Sequence, residues 1–447
     1  MFRKILIANR GEIAVRIIRA CREMGIHTVA VYSEADAHAM HTRLADEAVC
    51  IGPAAPLKSY LDMNQILSAA IATKAEAIHP GFGFLSENAE FAERCAKYNI
   101  AFIGPSGQLI DKMGNKSEAK RTMKEAGVPV VPGTDSPVYE AEDALEKARQ
   151  IGFPVMIKAS SGGGGKGMRL AYTEEEFLAG FRSAQQESIS AFGDNTMYLE
   201  RYVQSPRHIE VQIMADKYGN VVHLGERDCS IQRRHQKMIE ESPCAFISQE
   251  LREKLGETAV RAAKAVGYEN AGTIEFLLDQ SGEFFFMEMN TRIQVEHPIS
   301  ELVSGVDLIR EQIRAAAGLP LSVKQEDIIL RGHAIECRIN AEDPVHNFMP
   351  CPGTVKKMHL PGGNGIRMDT AIYPGYTIPP YYDSMIVKVI AYDSDRQGAI
   401  RKMISTLGEL EIEGVKTNLN FQYDILNQED FRSGMFNTDF IESHYEL

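Results

Sequence analysis

Glu288, Asn290, Arg292, Gln294 and Glu296 occupy every second position of one short segment, with Met289, Thr291, Ile293 and Val295 between them. An extended backbone sends alternate side chains to opposite faces, so this parity would gather the carboxylates, amides and guanidinium on one side. Upstream, 273–279 and 283–288 read as two strands around a Ser281-Gly282 turn, and a two-residue loop there would set Glu275 directly opposite Glu288. Like charges facing each other across a ladder repel, so Glu275, Glu288 and the amide oxygen of Asn290 point to a bound cation. Hard oxygen donors suit Mg2+ or Mn2+ better than Zn2+. The plain alternative is a solvated sheet face whose alternation carries no chemistry. Phe284, Phe285 and Phe286 beside it argue for a buried hairpin.

The elements ahead of this segment alternate. Residues 4–8 read as a short apolar strand, 12–24 as a helix with Ile13, Ile17, Ile18 and Cys21 at helical spacing, and 28–32 as a strand again. The pattern continues with a helix at about 62–73, a strand at 75–79, a helix at 87–98 and a strand at 100–103, which predicts a doubly wound parallel sheet. The turn Asn9-Arg10-Gly11-Glu12 lacks GxGxxG, so no dinucleotide is placed there. Residues 105–115 read as a linker, with a domain boundary near 115 and a helix over 117–126. A smaller α+β unit is expected to about Tyr202, then a larger mixed unit with the hairpin, a helix at 308–317, and strands from Gly332 onward, including 385–391. No internal repeat or low-complexity tract is present.

A chain of 447 residues with 44% hydrophobic content allows two or three packed domains. The net charge of -13 argues against a nonspecific nucleic-acid binder, which needs a basic footprint. The local cluster Arg233-Arg234-His235-Gln236-Lys237 reads as a small anion site, or as a solvated basic loop neutralised by Glu240 and Glu241. Seven cysteines without a CxxC pair fit free thiols in a reducing cytosol, with Cys229 and Cys337 as packed thiols. The apolar stretch near Met1 is too short for a signal peptide, and no run approaches the roughly 18 apolar residues that span a bilayer, so a soluble cytoplasmic protein is expected.

Between predicted strands at 154–158 and 168–171 lies Ala159-Ser-Ser-Gly162-Gly163-Gly164-Gly165-Lys166-Gly167. Glycines let backbone N–H groups approach phosphate oxygens. The P-loop pattern fails, because Ser160 and Gly167 stand where it needs Gly and Ser or Thr. Gly162, Gly164 and Gly167 match GxGxxG, but a strand rather than a helix follows. A flap folding over a nucleotide's phosphates remains, with a mobile linker as the alternative. Lys158 and Lys116 supply positive charge for a polyphosphate.

The glycine-rich flap with Glu275, Glu288, Asn290 and Arg292 resembles the ATP-grasp superfamily. More specific strings narrow the resemblance to biotin carboxylase: Ala8-Asn-Arg-Gly-Glu-Ile-Ala14, His79-Pro-Gly-Phe-Gly-Phe-Leu-Ser-Glu-Asn88, Arg233-Arg-His-Gln-Lys237, Glu288-Met-Asn-Thr-Arg-Ile-Gln-Val-Glu-His297 and Glu336-Cys-Arg-Ile-Asn340. The match runs from Arg3 to about Phe440 and is most similar to the free-standing subunit of bacterial acetyl-CoA carboxylase. It implies an α/β fold: an N-terminal doubly wound parallel sheet (1–114), an ATP-grasp domain (115–317) with a small α+β lid at about 130–203, and a C-terminal mixed α+β domain (330–447).

It also implies residue roles. Lys116, Lys158 and His208 would contact ATP phosphates or ribose below the flap of Gly162, Gly163, Gly164, Gly165 and Gly167. Adenine would lie against Glu200, Arg201, Tyr202 and Val203, with Met168 and Leu277 as apolar walls; Gln232 and His235 join the ATP set, His235 alternatively buttressing Lys237. Glu275, Glu288 and Asn290 would hold two divalent ions, Mg2+ or Mn2+. Bicarbonate would meet Lys237, Arg292, Gln294 and Val295, with Glu296 as general base and Arg338 stabilising charge on the biotin ureido oxygen. His297 would be structural. Phe82 stands where the family often has tyrosine, so apolar contact with biotin could persist without a phenol. The sequence contains no Ala-Met-Lys-Met biotinylation string and no long carboxyltransferase segment, so biotin is expected on a separate carrier protein, with carboxyltransferase subunits as further partners and a homodimer as the assembly.

Two other readings compete. One keeps ATP-grasp chemistry but changes the acceptor, for example to an amine in purine or carbamoyl-phosphate synthesis; the combined set Lys237, Arg292, Gln294, Glu296 and Arg338 argues against it. The other is a nucleotide-binding scaffold, which would have lost a metal ligand or the base.

Overall fold

Ile5, Leu6 and Ile7 of the first strand, Lys4–Ile7, are all fully buried. Ile5 and Ile7 pack with Ile13, Ile17 and Ile18 of the helix Gly11–Glu23, whereas Leu6 packs with Ile66 and Leu67 of Met63–Thr73 and with Phe91 and Cys95 of Ala89–Lys97. Alternate side chains therefore enter two separate cores, and a strand buried on both faces belongs in a parallel sheet covered by helices. The observed sheet is five-stranded and parallel, in the order Glu47–Cys50, His27–Tyr32, Lys4–Ile7, Ala77–His79, Ala101–Phe102.

The computed structural model describes residues 1–159, 167–192 and 194–446, with side chains at all of them but 191 and 192. The chain forms two compact units. The larger comprises Met1–Val128, Arg207–Phe276 and the chain from Glu288 onward. Besides the parallel sheet it carries most of an eight-stranded sheet, ordered Phe284–Asn290, Asn270–Leu278, Arg207–Ala215, Val221–Arg233, Gln236–Ser242, His333–Asn340, Met385–Asp393, Ile366–Thr370. From Arg207–Ala215 to Ile366–Thr370 the neighbours pair antiparallel. One sheet thus runs from the strands around residue 210 into those around residue 388, and Ile335, Cys337, Ile339, Val387 and Val389 share a core with the helix Arg396–Glu409.

The smaller unit is Pro129–Pro206 with Leu277–Met287. Its three antiparallel strands run Met168–Ala171, Val155–Ala159, Met197–Arg201. Phe177 and Phe181 of the helix Glu174–Phe192 and Ala144 and Ala148 of Ala141–Ile151 cover Val155, Ile157 and Leu199. The unit is small and α+β, as expected for about 130–203, and it also takes in Leu277–Met287. Among the described residues no helix is long and apolar enough to cross a membrane.

Three local expectations are corrected. Residues 105–115 are not a linker: Gly107–Gly114 is a helix whose N-terminus is capped by Ser106 and whose Leu109, Ile110 and Met113 are buried. The hairpin turn holds three residues rather than two, because the Asp279 N–H donates to the Glu283 carbonyl and the Asp279 carboxylate collects the N–H groups of Ser281 and Glu283. The extended backbone ends at Asn290 instead of continuing to Glu296, since Thr291 is drawn to Glu87 and Pro298 opens the helix His297–Ser304.

Phe177 is fully buried between Phe153 and Phe181, with ring centroids 6.1 and 5.9 Å away. Phe177→Ala should cost about 3–5 kcal/mol in the smaller unit. Faster amide hydrogen exchange in Val155–Ala159 would register that loss, and unchanged exchange there would contradict it.

Candidate active site

Gln236–Ser242 pairs with Val221–Arg233 through a tight turn in which Arg233 faces Gln236, and the two residues between them, Arg234 and His235, have φ of 48° and 64°. Positive φ at both central positions matches the twist of a two-residue hairpin, and large side chains there store strain. The turn delivers Lys237, opposite Gln232, onto the sheet face. Its ammonium meets three carboxylates: Glu210 at 2.5 Å, Glu296 at 2.7 Å and Glu275 at 3.0 Å.

Each carboxylate is held a second time. Glu210 accepts from Nε of the fully buried Arg227 at 2.5 Å, and Arg227 spends its other donors on Gln212, Ser300 and Thr273. Glu275 accepts from Asn290 Nδ2 at 2.8 Å and Gln294 Nε2 at 3.0 Å, and pairs with His208 Nε2 at 2.8 Å. Glu296 is gripped at its second oxygen by Arg338 at 2.9 Å, and Arg338 also lies 2.5 Å from Glu240. Arg292 folds back over the loop, donating to Asn290 Oδ1 at 2.9 Å, Gln294 Oε1 at 2.7 Å and Glu87 at 2.8 Å.

The electrostatics follow from this crowding. Burial pushes the Glu296 carboxyl up, but Lys237, Arg338 and Arg227 together hold it well below the usual carboxylate range. Glu275 is likewise lowered against burial, by Lys237 and His208. Burial would lower Lys237, yet Glu210, Glu296 and Glu275 raise it well above an ordinary lysine. Burial raises Glu210, and carries Glu240 up to about 7 despite Arg338. His208 is raised: burial lowers it, and the bond to Glu275 outweighs that.

The structure brings together Lys237, His208, Glu275, Asn290, Arg292, Gln294, Glu296 and Arg338. Glu275 is buried with four donors, whereas Glu288 is 39% exposed, with the 87%-exposed Lys116 3.8 Å away. Val295 contributes a carbonyl that accepts from Lys388. Phe82 lies in a loop held by Asn9, His235 is exposed, and Gln232 is half-buried. In the smaller unit Lys158 pairs with Glu200, Arg201 lies 3.4 Å from Glu283, Met168 pairs in register with Lys158, Leu277 is half-buried, and the Tyr202 N–H donates to Pro154, with Val203 following. Gly167 has φ 71° and donates to Glu187; Gly162, Gly163, Gly164 and Gly165 lie outside the described residues.

Glu240 and Glu241 do not neutralise the basic turn. Glu240 pairs with Arg338, Glu241 with His333 and Arg396, while Arg233 donates to Asn347 and lies over the Phe348 ring. His297 is buried, and burial lowers its pKa well below the ordinary value. Cys229 and Cys337 are buried free thiols, pushed up by desolvation.

Sequence reasoning missed Glu87, Glu210 and Arg227. Glu210 was accessible in principle, because His208, Glu210 and Gln212 alternate along the strand Arg207–Ala215. His208, Glu210 and Glu275 present ligand atoms within 4.8 Å of one another, a donor set able to hold an ion if their present partners yield. Glu275, Glu288 and Asn290 offer hard oxygens of the kind Mg2+ takes, and Glu288 is accessible to solvent.

Comparisons with known proteins follow the same chain segments. Residues 1–110 match the family described as Biotin carboxylase, N-terminal domain; residues 115–324 match Carbamoyl-phosphate synthase L chain, ATP binding domain; residues 336–443 match Biotin carboxylase C-terminal domain. Biotin carboxylase 1 of Bacillus subtilis (strain 168) is 58% identical over 99% of each chain. A pyruvate carboxylase subunit of Methanothermobacter thermautotrophicus is 55% identical over 99% of this chain and 90% of that one. Among solved structures, a biotin carboxylase complex with β,γ-ATP from Campylobacter jejuni is 50% identical with a TM-score of 0.91, covering 99% of both chains. The biotin carboxylase domain dimer of Hydrogenobacter thermophilus 2-oxoglutarate carboxylase, solved with MgADP, ADP and bicarbonate, is 50% identical with a TM-score of 0.90, covering 100% of both.

Lys237→Ala should destabilise the fold by about 3–5 kcal/mol near pH 8, because it takes a charge partner from three buried carboxylates at once and leaves each with its remaining partners only. In the wild type, Glu275 and Glu296 have lowered folded pKa values, so their contribution is present above the unfolded carboxylate pKa and lost as pH falls through the folded values. In the variant these groups fold more readily protonated. The stability gap from chemical denaturation should therefore widen from pH 5 to pH 8; a gap independent of pH would contradict the assignment.

Proposed function

The chain belongs to the biotin carboxylase family, and from that membership we propose that it carboxylates biotin borne on a separate carrier protein, using ATP and bicarbonate. The observation that carries the mechanism is the grip on Glu296, one oxygen on Lys237 and the other on Arg338. An ammonium has three donors, and all three of Lys237 point to carboxylates. An arriving bicarbonate must take one of them over. When it takes the donor from Glu296, it removes part of the charge that suppresses that carboxylate's basicity, and places its own acidic O–H beside the base. The base thus gains proton affinity when its substrate binds.

Bicarbonate is a poor electrophile. Deprotonation by Glu296 promotes its attack on the γ-phosphate of ATP, giving carboxyphosphate and ADP; the C–O bond of carboxyphosphate then breaks to release carbon dioxide and inorganic phosphate, and the biotin ureido nitrogen attacks the carbon dioxide as its N–H proton passes to that phosphate. Arg292, Gln294 and Val295 orient the bicarbonate, and Arg338 stabilises negative charge on the ureido oxygen. Phe82 offers apolar contact to biotin. Lys116, Lys158, Gly162, Gly163, Gly164, Gly165, Gly167, Met168, Glu200, Arg201, Tyr202, Val203, His208, Gln232, His235 and Leu277 are the ATP contacts of this reading. Glu275, Glu288 and Asn290 would hold Mg2+ or Mn2+, which neutralises phosphate charge when bound.

The domains we assign are 1–114, 115–317 with a lid at about 130–203, and 330–447. The setting is a cytoplasmic homodimer that hands carboxybiotin to carboxyltransferase subunits, making malonyl-CoA for fatty-acid synthesis. The 55% identity to a protein named for pyruvate carboxylase supports a second reading of the final acceptor only, a 2-oxo acid in place of acetyl-CoA.

ADP release with Mg2+ and bicarbonate tests the reading. Free biotin should stimulate the wild type, and both Glu296→Ala and Arg338→Ala should abolish that stimulation, with loss of the base costing about 10²–10⁴-fold. Bicarbonate-dependent turnover indifferent to biotin would send the search to another acceptor.

A further inference from the structure

The string Ala8-Asn-Arg-Gly-Glu-Ile-Ala14 opens the first helix, yet no substrate role has fallen to it. Its polar side chains hold other segments instead. Asn9 is buried and donates from Nδ2 to the carbonyls of Pro80 at 2.6 Å and Phe82 at 2.8 Å. Glu12, in the first turn of Gly11–Glu23, lies 3.2 Å from Nζ of Lys388.

Lys388 sits in the strand Met385–Asp393 among Ile386, Val387, Val389 and Ile390, and its side chain is entirely buried. A methionine would fill that space without desolvating a charge. The ammonium is instead paired with Glu12 and lies 3.8 Å from Asp369, and it donates to the Val295 carbonyl at 2.8 Å. One residue earlier, the Gln294 carbonyl accepts from Nδ1 of the buried His297, also at 2.8 Å. The two carbonyls immediately ahead of Glu296 are therefore both tied by buried side chains.

We propose that Lys388 is a positioning residue for the bicarbonate step: through the Val295 carbonyl it fixes the Gln294–Glu296 turn, with Glu12 and Asp369 anchoring its ammonium. The inference rests on the reading of Glu296 as base. The turn carries the groups that meet bicarbonate, and none of the contacts proposed for adenine or ribose. Loosening it should raise KM for bicarbonate and lower kcat while leaving KM for ATP in place, because small displacements of reacting groups are costly.

The test is ADP release with saturating MgATP, free biotin and varied bicarbonate, alongside thermal unfolding. Lys388→Met strands Glu12, so the double variant Lys388→Met/Glu12→Gln, which removes both charges, separates folding from positioning. It should unfold near the wild-type temperature yet show KM for bicarbonate raised at least about 10-fold, with KM for ATP within about twofold. Lys388→Arg keeps a donor and should recover part of the bicarbonate KM. A double variant with wild-type KM for bicarbonate overturns the proposal. Should neither methionine variant fold, Lys388→Arg decides alone: a bicarbonate KM raised about threefold or more at unchanged KM for ATP supports positioning, and unchanged values overturn it. Wild-type protein without bicarbonate-dependent ADP release would overturn the underlying biotin carboxylase reading instead, so the two failures are distinguishable.

Discussion

A lysine ammonium has three N–H donors, and at Lys237 each one points at a different buried carboxylate. Buried charge is tolerated only when paired and hydrogen-bonded, so Glu210, Glu275 and Glu296 depend on this one cation and on the guanidiniums of Arg227 and Arg338 behind it. The same arrangement limits the free protein. With its donors committed, Lys237 can serve an incoming anion only by releasing one of its carboxylates. In the proposed mechanism, holding Glu296 ionised and weak until bicarbonate arrives also protects the site from capturing a proton early.

The eight-stranded sheet makes the cluster possible. Glu210, Glu275, Lys237 and Arg338 come from four of its strands, Arg207–Ala215, Asn270–Leu278, Gln236–Ser242 and His333–Asn340. Rigid strands fix those four groups, whereas Glu296 comes from the irregular segment between Asn290 and the helix His297–Ser304. That segment is braced from several directions: Glu87 takes Thr291 and Arg292, Asn290 and Gln294 cross to Glu275, and Lys388 and His297 hold the carbonyls before the base. Backbone without a ladder needs such side-chain bonds to be positioned at all.

Much of this was legible in the sequence. The alternation of strands and helices over the first hundred residues predicts the parallel sheet, because apolar runs short enough to be strands are separated by helical spacing. The polar parity from Glu288 to Glu296 correctly nominates residues that meet, though not by the geometry parity implies, since the strand ends halfway. The turn at Ser281-Gly282 misled by one residue, because the Asp279 carboxylate caps a three-residue loop, a side-chain effect that dipeptide signals do not carry. The helix at Gly107–Gly114 was hidden by its terminal glycines, by Pro105 just ahead of it and by its short length, and only its buried Leu109, Ile110 and Met113 justify it. Glu210 and Arg227 escaped because they act through pairing across strands, and pairing is not written in any local window. Relatives of comparable identity bear names drawn from biotin carboxylase, pyruvate carboxylase and 2-oxoglutarate carboxylase, as expected if this chain's residues handle ATP, bicarbonate and biotin but not the final acceptor.

In the proposed mechanism Glu296 and bicarbonate compete for Lys237. Calorimetric titration of bicarbonate into MgADP-loaded wild type and Glu296→Gln tests it directly. If the carboxylate holds Lys237 back, neutralising it should leave bicarbonate bound at least as tightly as in the wild type, even though turnover is lost. Binding weakened by about tenfold or more, a difference of about 1.4 kcal/mol, would mean that Glu296 helps to hold the anion rather than competing with it, and would contradict the account.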